Sequence, residues 1–215
     1  MTSRGRLIAL EGGEGTGKTT QARRLARHLG AALTFEPGAT PIGTRIRDLL
    51  LDPGLGGLDA RAEALLLAAD RAQHVVDLVA PALDRGETVV TDRYIGSSLA
   101  YQGHGRQLDV TEVARLSEWA TGGLLPDLVV LLELPVHEAH ARLAQRNEAG
   151  GGAGADERGG DRMEREERAF HERVARGFRE LAAEDAERWV VVDAAGTIED
   201  VGGRVRDAVR DRVGL

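Results

Sequence analysis

The chain has 215 residues, of which 42% are hydrophobic and 29% charged, as expected for one well-buried globular domain. Its formal charge of −7 argues against a broad nucleic-acid surface, because phosphate backbones are bound by an excess of Lys and Arg. Cysteine is absent, which excludes disulfides, thiolate zinc sites and cysteine nucleophiles. The sequence shows no long apolar stretch and no apolar signal core, so we expect a cytoplasmic enzyme that binds neither nucleic acid nor membrane.

Short apolar runs alternate with amphipathic stretches along the chain. The apolar runs predict buried strands at residues 6–11, 32–36, 88–92, 128–134 and 189–193. The amphipathic stretches predict helices at residues 18–29, 41–51, 59–83, 110–120, 136–145, 164–183 and 198–213. Such alternation favours right-handed crossovers. We therefore expect an α/β fold in a single domain, residues 1–215, with a central five-stranded parallel sheet flanked by helices on both faces.

Residues 148–160, EAGGGAGADERGG, break this alternation. The segment holds six glycines and no large apolar residue, so it cannot contribute to a core. We expect a mobile surface loop there. A tolerated insertion without function is an open alternative for its glycine-rich tip.

The sequence GGEGTGKT, residues 12–19, follows the first predicted strand and leads into the first predicted helix, and it matches G-x-x-x-x-G-K-[ST]. Glycines let backbone N–H groups turn toward phosphate oxygens, and the helix N-terminus adds a positive partial charge. Lys18 is predicted to reach the β- and γ-phosphates, and the Thr19 hydroxyl to bind magnesium. A dinucleotide fingerprint does not fit, because G-x-G-x-x-G read from Gly13 places Lys18 at the last glycine.

The class of P-loop protein depends on other motifs. A GTPase would carry N-K-x-D for guanine, whereas the only asparagine, Asn147, is followed by Glu. The stretch VVTDRY places Asp92 at the end of a predicted strand, where a carboxylate can lie near magnesium, with Arg93 beside it. A surface ion pair is the alternative interpretation of these two residues.

Several stretches, in chain order, carry a family resemblance: EGGEGTGKTTQ, FEPGATPIGTRIRDLLLD, EALLLAADRAQHV, VVTDRYIGSSLAYQGHGR, PDLVVLLEL and RGGDRMEREERAFHERV. Together they resemble bacterial-type thymidylate kinases, and EPGAT followed by DRY and AYQG is more specific than the P-loop alone. The resemblance implies a P-loop kinase fold with a mobile lid. It also implies transfer of the γ-phosphoryl group of ATP to thymidine monophosphate (dTMP), with magnesium, to give thymidine diphosphate for dTTP synthesis.

The resemblance further implies which residues form the site. The expected ATP-binding residues are Gly12, Gly13, Glu14, Gly15, Thr16, Gly17, Lys18, Thr19, Thr20, Arg142 and Arg146. The expected dTMP-binding residues are Glu14, Glu36, Pro37, Leu67, Arg71, Arg93, Ser98, Tyr101 and Gln102. Thr19 and Asp92 are the expected magnesium ligands. Lys18, Arg93, Arg158 and Arg162 are the expected catalytic residues.

The acceptor residues each have a chemical rationale. Guanidinium groups suit phosphate oxygens, so Arg71 and Arg93 are expected to clamp the monophosphate, although a surface pairing of Arg71 with an aspartate is the alternative. Ser98 and Gln102 lie four residues apart and can offer one helix face to the thymine edge. The resemblance places Tyr101 under the sugar, favouring deoxyribose, and Glu14 toward the acceptor 3′-OH, with Glu36 and Pro37 shaping the base pocket.

Three positions depart from the family. Phe35 stands where an arginine usually precedes Glu-Pro-Gly, so that contact is missing or supplied elsewhere. Leu67 stands where a phenylalanine often stacks on thymine, and leucine can pack on the base but cannot stack. Gly96 stands where related sequences often have an acidic residue.

A lid over the phosphates is expected at about residues 146–165. Glu14 and Gly15 occupy the P-loop positions where some relatives have an arginine, so the catalytic arginine is expected from the lid. Arg158 is the first candidate, Arg162 the second and Arg146 the third. The alternative is that these arginines only solvate a surface loop.

We also expect a homodimer, because residues 59–83 carry more apolar surface than one sheet face need cover: Leu65, Leu66, Ala69, Val76 and Val79. A fully intramolecular core is the alternative. Two other functions compete with the thymidylate kinase hypothesis: a kinase for another nucleoside monophosphate, and a P-loop protein that binds nucleotide as a regulatory switch.

Overall fold

A computed structural model describes residues 4–52, 54, 57–148, 162–164 and 166–215, with only the backbone described at 147 and 148. Five parallel strands form one sheet in the order β2-β3-β1-β4-β5. The strands are β1 (Leu7–Glu11), β2 (Ala32–Phe35), β3 (Val89–Asp92), β4 (Leu128–Glu133) and β5 (Trp189–Asp193). Each predicted strand is confirmed to within one residue at either end.

The helices alternate with these strands. They are α1 (Lys18–Leu29), α2 (Pro41–Leu51), α3 (Ala60–His74), α4 (Ala80–Asp84), α5 (Ile95–Ser98), α6 (Val110–Thr121), α7 (Val136–Glu148), α8 (Arg168–Glu184) and α9 (Ile198–Val213). Two π-helical segments continue α3 and α5, Val75–Val79 and Leu99–Gly105. None of the helices in the described ranges is both long and apolar enough to span a membrane.

The structure corrects four sequence-based expectations. The helix predicted at 59–83 is divided by a π-helical turn before α4 begins. The helical segment at 95–105 is missing from the predicted helix bounds, although Ser98 and Gln102 were expected on one helix face, and α8 begins at Arg168, four residues later than expected. Val79, expected on the apolar surface, is fully buried in the core.

Both faces of the sheet are covered. Along β1, Leu7 and Ala9 enter one buried cluster while Ile8 and Leu10 enter the other. The first cluster lies under α8 and the π-helical segments, and the second lies under α1 and α9. Burial on both faces explains why the central strands β1 and β4 are nearly continuous apolar runs.

The sheet register positions the site. Leu10 of β1 and Phe35 of β2 both pair with Asp92 of β3, so three parallel strands end at the same level. The residues that follow these three, Glu11, Glu36 and Arg93, therefore emerge at one edge of the sheet. This is the edge where α/β proteins of this kind bind ligands.

Two helix glycines provide a matched test of packing between α8 and the π-helical segment at 99–105. A Cβ on Gly177 would lie 2.5 Å from the His104 ring, whereas a Cβ on Gly203 in α9 would meet no atom closer than 4.0 Å. We expect Gly177→Ala to lower the free energy of unfolding by about 1–3 kcal/mol through overpacking. We expect Gly203→Ala to raise it by up to about 1 kcal/mol through helix propensity. Urea unfolding measures both, and equal stabilisation by the two substitutions would contradict this packing.

Candidate active site

The loop between β1 and α1 is shaped by its glycines. Gly15 has φ +75° and Gly12 has φ +144°, backbone conformations that favour glycine. A Cβ on Gly15 would lie 2.4 Å from the Ala139 carbonyl oxygen, and one on Gly12 would lie 2.5 Å from that of Leu132. The loop therefore packs closely on β4 and α7, and its backbone ends at the N-terminus of α1.

Lys18 is buried at the start of α1 and folds back on the loop. Its Nζ donates a hydrogen bond to the Gly13 carbonyl oxygen at 2.7 Å, and the Thr16 hydroxyl donates to the same oxygen at 2.9 Å. Burial, with a contribution from the Arg93 charge, lowers the pKa of Lys18 to about 8. The ammonium group is thus held inside the loop where a phosphate would lie.

Thr19 and Asp92, the two expected magnesium ligands, are in contact. The Thr19 hydroxyl donates to Oδ2 of Asp92 at 2.5 Å. The other carboxylate oxygen, Oδ1, is buried and has no hydrogen-bond partner among the described residues. The pair offers a hydroxyl and a carboxylate beside the P-loop, which are oxygen ligands of the kind magnesium takes.

Arg93, Glu14 and Tyr101 form one hydrogen-bonded group. Nη2 of Arg93 pairs with Oε1 of Glu14, and the Tyr101 hydroxyl donates to the same oxygen at 3.0 Å. Burial would raise the pKa of Glu14, but the charges of Arg93 and Lys18 outweigh it and lower the pKa to about 2. Glu14 is therefore an ionised carboxylate joining the P-loop to the arginine that follows β3.

Arg71 is buried in α3, its side chain only 2% exposed, so the alternative of a surface arginine is wrong. Its Nε donates to Oε2 of Glu36 at 2.8 Å. Its two Nη atoms donate to the hydroxyls of Ser98 and Ser117 and to the Tyr94 carbonyl oxygen. The fork of the guanidinium group is thereby fixed on the acceptor side.

Two residues near this group, His74 and Thr34, were not predicted from the sequence. Nδ1 of His74 lies 2.8 Å from Oε1 of Glu36, and Nε2 lies 2.6 Å from the Thr34 hydroxyl. These contacts connect β2, the Glu36 carboxylate and α3 in a buried chain. The spacing of His74 three residues after Arg71, on the same helix face, was the signal available in the sequence.

Glu11 was also missed, and it accounts for the glycine at position 96. The Glu11 carboxylate is fully buried and accepts hydrogen bonds from the backbone N–H groups of Tyr94 and Ser97 and from the Ser97 hydroxyl. Burial raises its pKa to about 7. A Cβ on Gly96 would lie 2.9 Å from Oε1 of Glu11 and 2.7 Å from the Trp189 ring, so these side chains occupy that space.

The expected base-binding residues are buried or half-buried. Ser98 accepts from Arg71, while Nε2 of Gln102 donates to Oε1 of Glu63 at 2.8 Å. Pro37 follows Glu36 through a cis peptide bond, and Leu67 is half-buried on α3. Phe35, in place of the usual arginine, is 44% exposed at the end of β2.

Two of the three expected lid arginines, Arg146 and Arg162, lie in the described residues. Arg158 lies outside the described residues. Nη2 of Arg146 donates to Oε1 of Glu164 at 2.6 Å, and Arg142 is half-exposed on α7. Arg162 donates to the Leu50 carbonyl oxygen at 2.7 Å and pairs with Glu63 at 2.5 Å. Arg162 thus contacts α2 and α3 in this structure, and its predicted contact with phosphates stays a prediction.

A glycine loop holding a buried lysine between a central strand and a helix defines a P-loop nucleotide-binding protein. Two arginines at the same edge of the sheet, the buried Arg71 and the half-buried Arg93, give this P-loop protein further cations of the kind that suits phosphate oxygens.

Comparison with known proteins identifies the family. The family model for thymidylate kinase matches residues 10–205. A thymidylate kinase from Leifsonia xyli subsp. xyli is 48% identical over 214 residues, which cover 97% of this chain and 96% of that protein. One from Desulfovibrio desulfuricans is 45% identical over 207 residues, 94% of each chain.

The solved structure of thymidylate kinase from Ehrlichia chaffeensis is 26% identical, with a TM-score of 0.76 over 96% of this chain and 99% of that one. The chain belongs to the thymidylate kinase family. The predicted family, the α/β P-loop kinase fold and the assignment as an enzyme of this family are confirmed.

The buried Arg71–Glu36 pair makes a stability test possible. Arg71→Met leaves the Glu36 carboxylate buried without its guanidinium partner, so we expect a loss of about 3–5 kcal/mol in the free energy of unfolding. Arg188 provides the control, because its ion pair with Asp185 is solvent-exposed. Arg188→Met is expected to cost no more than about 1 kcal/mol. Denaturant unfolding that gives similar values for both variants would show that the buried pair is not required for stability.

Proposed function

We propose that this chain transfers the γ-phosphoryl group of ATP to dTMP, giving thymidine diphosphate and ADP. The observation that carries the proposal is the arrangement of Arg71, which is buried, and Arg93, which is half-buried and contacts the P-loop that holds Lys18. One cationic site fits the triphosphate and the other fits the monophosphate. The relatives are thymidylate kinases, and this supports the choice of dTMP as the acceptor.

The donor site is built from the P-loop. The backbone N–H groups of residues 12–20 and the N-terminus of α1 would bind the phosphates of ATP, with Lys18 exchanging the Gly13 carbonyl oxygen for a phosphate oxygen. Arg142 and Arg146 would lie near the adenine end. The protein would contribute positioning and charge stabilisation, because phosphoryl transfer needs little covalent chemistry from it.

The acceptor site is built around Arg71 and Arg93. Their guanidinium groups would bind the 5′-phosphate of dTMP. Tyr101 would lie under the deoxyribose and Glu14 would face its 3′-OH. The remaining proposed contacts surround the base: Glu36, Pro37, Leu67, Ser98 and Gln102.

Magnesium fits the pair formed by Thr19 and Asp92. Magnesium commonly takes only one or two protein oxygens and completes its shell with phosphates and water, so a hydroxyl and one carboxylate suffice. The unpartnered Oδ1 of Asp92 is available for this purpose. When bound, the ion would neutralise charge on the phosphate oxygens.

The lid role of Arg158, with Arg162 and Arg146 as the further candidates, stays a prediction. It is supported by the P-loop sequence. Residues 12–19 contain no arginine, and Glu14 and Gly15 stand where some relatives have one, so Lys18 is the cation that the loop supplies. An arginine that stabilises the transferred group is worth roughly 10³–10⁵ in rate in related chemistry. The cytoplasmic location expected from the sequence also stays a prediction.

A coupled ADP-release assay across nucleoside monophosphates tests the proposed function. We expect dTMP to give the highest kcat/KM, with dUMP lower by roughly 10–200-fold, because the pocket loses one methyl contact. Cytidine and guanosine monophosphates are expected to be poor acceptors. Fastest turnover of either would favour another monophosphate kinase, and ATP binding without any acceptor turnover would favour a nucleotide-binding switch.

The pH dependence of ATP use tests Lys18. The pKa of Lys18 lies near 8, so the ammonium form dominates below that pH and is lost as the pH rises above it. We expect kcat/KM for ATP to fall about tenfold per pH unit above pH 8, since this quantity reports the free enzyme. Lys18→Arg, which keeps its charge, should show no such fall, whatever its absolute activity. A wild-type profile that stays flat to pH 10 would contradict the assignment.

The proposed homodimer is supported by exposed apolar side chains on α3 and beyond it. Leu65 is 58% exposed and Val76 is 68% exposed, and Trp119 on the adjacent α6 is 83% exposed. Ala69 is exposed between them. Exposed apolar side chains on neighbouring helices are typical of an interface between copies of one chain.

Sedimentation velocity at micromolar concentration tests the dimer. We expect the wild-type chain to sediment as a dimer, and Val76→Glu to sediment as a monomer because it places a charge in the apolar contact. Ile198→Glu is the control, since Ile198 is an exposed apolar residue on α9, which packs on the opposite face of the sheet. A monomeric wild-type chain would refute the proposal.

A further inference from the structure

Glu63 on α3 is a buried carboxylate that holds three donors. Nε2 of Gln102 donates to its Oε1, and the guanidinium groups of Arg106 and Arg162 pair with its Oε2 at 3.1 and 2.5 Å. Burial alone would raise the pKa of Glu63, but these hydrogen bonds outweigh it and lower the pKa below its usual value. Glu63 is therefore ionised at neutral pH, and an ionised carboxylate can only accept hydrogen bonds.

This charge fixes the orientation of the Gln102 side-chain amide. The group that faces Glu63 must be the NH₂ group, because the amide oxygen would meet a carboxylate oxygen with no proton between them. Glu63 is itself held by two arginines, so it cannot turn away to accommodate the reverse orientation. The amide of Gln102 thus has one allowed orientation in which Nε2 is bound.

The Gln102 oxygen is left without a partner. Gln102 is 1% exposed, and its Oε1 has no hydrogen-bond partner among the described residues. A buried amide oxygen without a donor carries a desolvation cost, so such atoms call for an explanation. The position points to a ligand, because the same helical segment carries Ser98 and Tyr101, whose hydroxyls contact Arg71 and Glu14.

The chemistry of the missing donor can be stated. The base-pairing edge of thymine and of uracil has one hydrogen-bond donor, the ring N3–H, which lies between two carbonyl oxygens. Cytosine carries a lone pair at N3, which would meet the Gln102 oxygen as acceptor against acceptor. An amide oxygen that is fixed in place thus distinguishes the two kinds of base.

We propose that Glu63 is a positioning residue for acceptor selection, which fixes the Gln102 amide so that its oxygen accepts the N3–H of thymine and rejects cytosine. This inference rests on the proposed function. It adds to that function a residue outside the set predicted from the sequence, and it states why the Gln102 amide cannot adapt to the wrong base.

Glu63→Gln is the test variant, with kcat/KM measured for dTMP, dUMP and dCMP. A glutamine at position 63 can donate or accept, so the Gln102 amide gains its second orientation, which matches cytosine. We expect the ratio of kcat/KM for dTMP over dCMP to fall at least about tenfold. The ratio of kcat/KM for dTMP over dUMP should stay within about twofold of its wild-type value, because both bases carry N3–H.

Glu166→Gln is the matched control. Glu166 pairs with Arg106 at 2.6 Å, as Glu63 does, but the hydrogen bond of Gln102 goes to Glu63. Removing that charge should leave the dTMP over dCMP ratio unchanged. A Glu63→Gln variant that loses activity equally on all three acceptors, or keeps the wild-type dTMP over dCMP ratio, overturns the inference. Low wild-type turnover of dTMP itself would instead overturn the proposed function.

A binding measurement on the wild-type enzyme keeps the test valid if Glu63→Gln does not fold. Isothermal titration calorimetry compares dTMP with its N3-methyl derivative, which lacks the donor. We expect the derivative to bind at least about tenfold more weakly, because the buried Gln102 oxygen then stays unpaired. Equal affinity of the two ligands would overturn the inference.

Discussion

The pairing of two guanidinium groups, one buried and one half-buried, with carboxylates determines the form of the site. Arg71 is held by Glu36, and Arg93 by Glu14, and each pair lies at the carboxyl edge of the sheet. An unpaired charge in such a place would cost several kcal/mol, roughly 3–5 by comparison with broken buried pairs. The carboxylates therefore allow the protein to keep two cations in place before any anionic ligand arrives.

The fold supplies these partners through its strand order. Because β1, β2 and β3 are parallel and end at the same level, Glu11, Glu36 and Arg93 come from three different strands to one edge. The P-loop follows β1 and places Glu14 against Arg93. The proposed donor and acceptor sites thus share one hydrogen-bonded group, in which Tyr101 also takes part.

Local patterns in the sequence predicted much of this arrangement. The bounds of α1, α2 and α9 agree with the predicted helices, because each has clear apolar periodicity. The P-loop, Asp92 and the EPG turn were recognised from short motifs whose residues are close together in the chain. Such features depend on neighbours within a few residues, which a single sequence displays directly.

The missed features depend on contacts between distant parts of the chain. Glu11 reads as one polar residue at a strand end, and its role depends on Tyr94 and Ser97, more than 80 residues away. His74 and Glu63 read as ordinary helix residues until β2 and the segment at 99–105 pack against them. The π-helical turns were likewise not predicted, because apolar periodicity gives no signal for them.

A crystal structure of the enzyme with bound dTMP tests the central claim most directly. The account predicts that oxygens of the 5′-phosphate lie at hydrogen-bond distance, about 2.7–3.2 Å, from the guanidinium groups of both Arg71 and Arg93. It also predicts that Arg71 keeps its hydrogen bond to Glu36 in the complex. A dTMP phosphate bound away from both guanidinium groups would contradict the account.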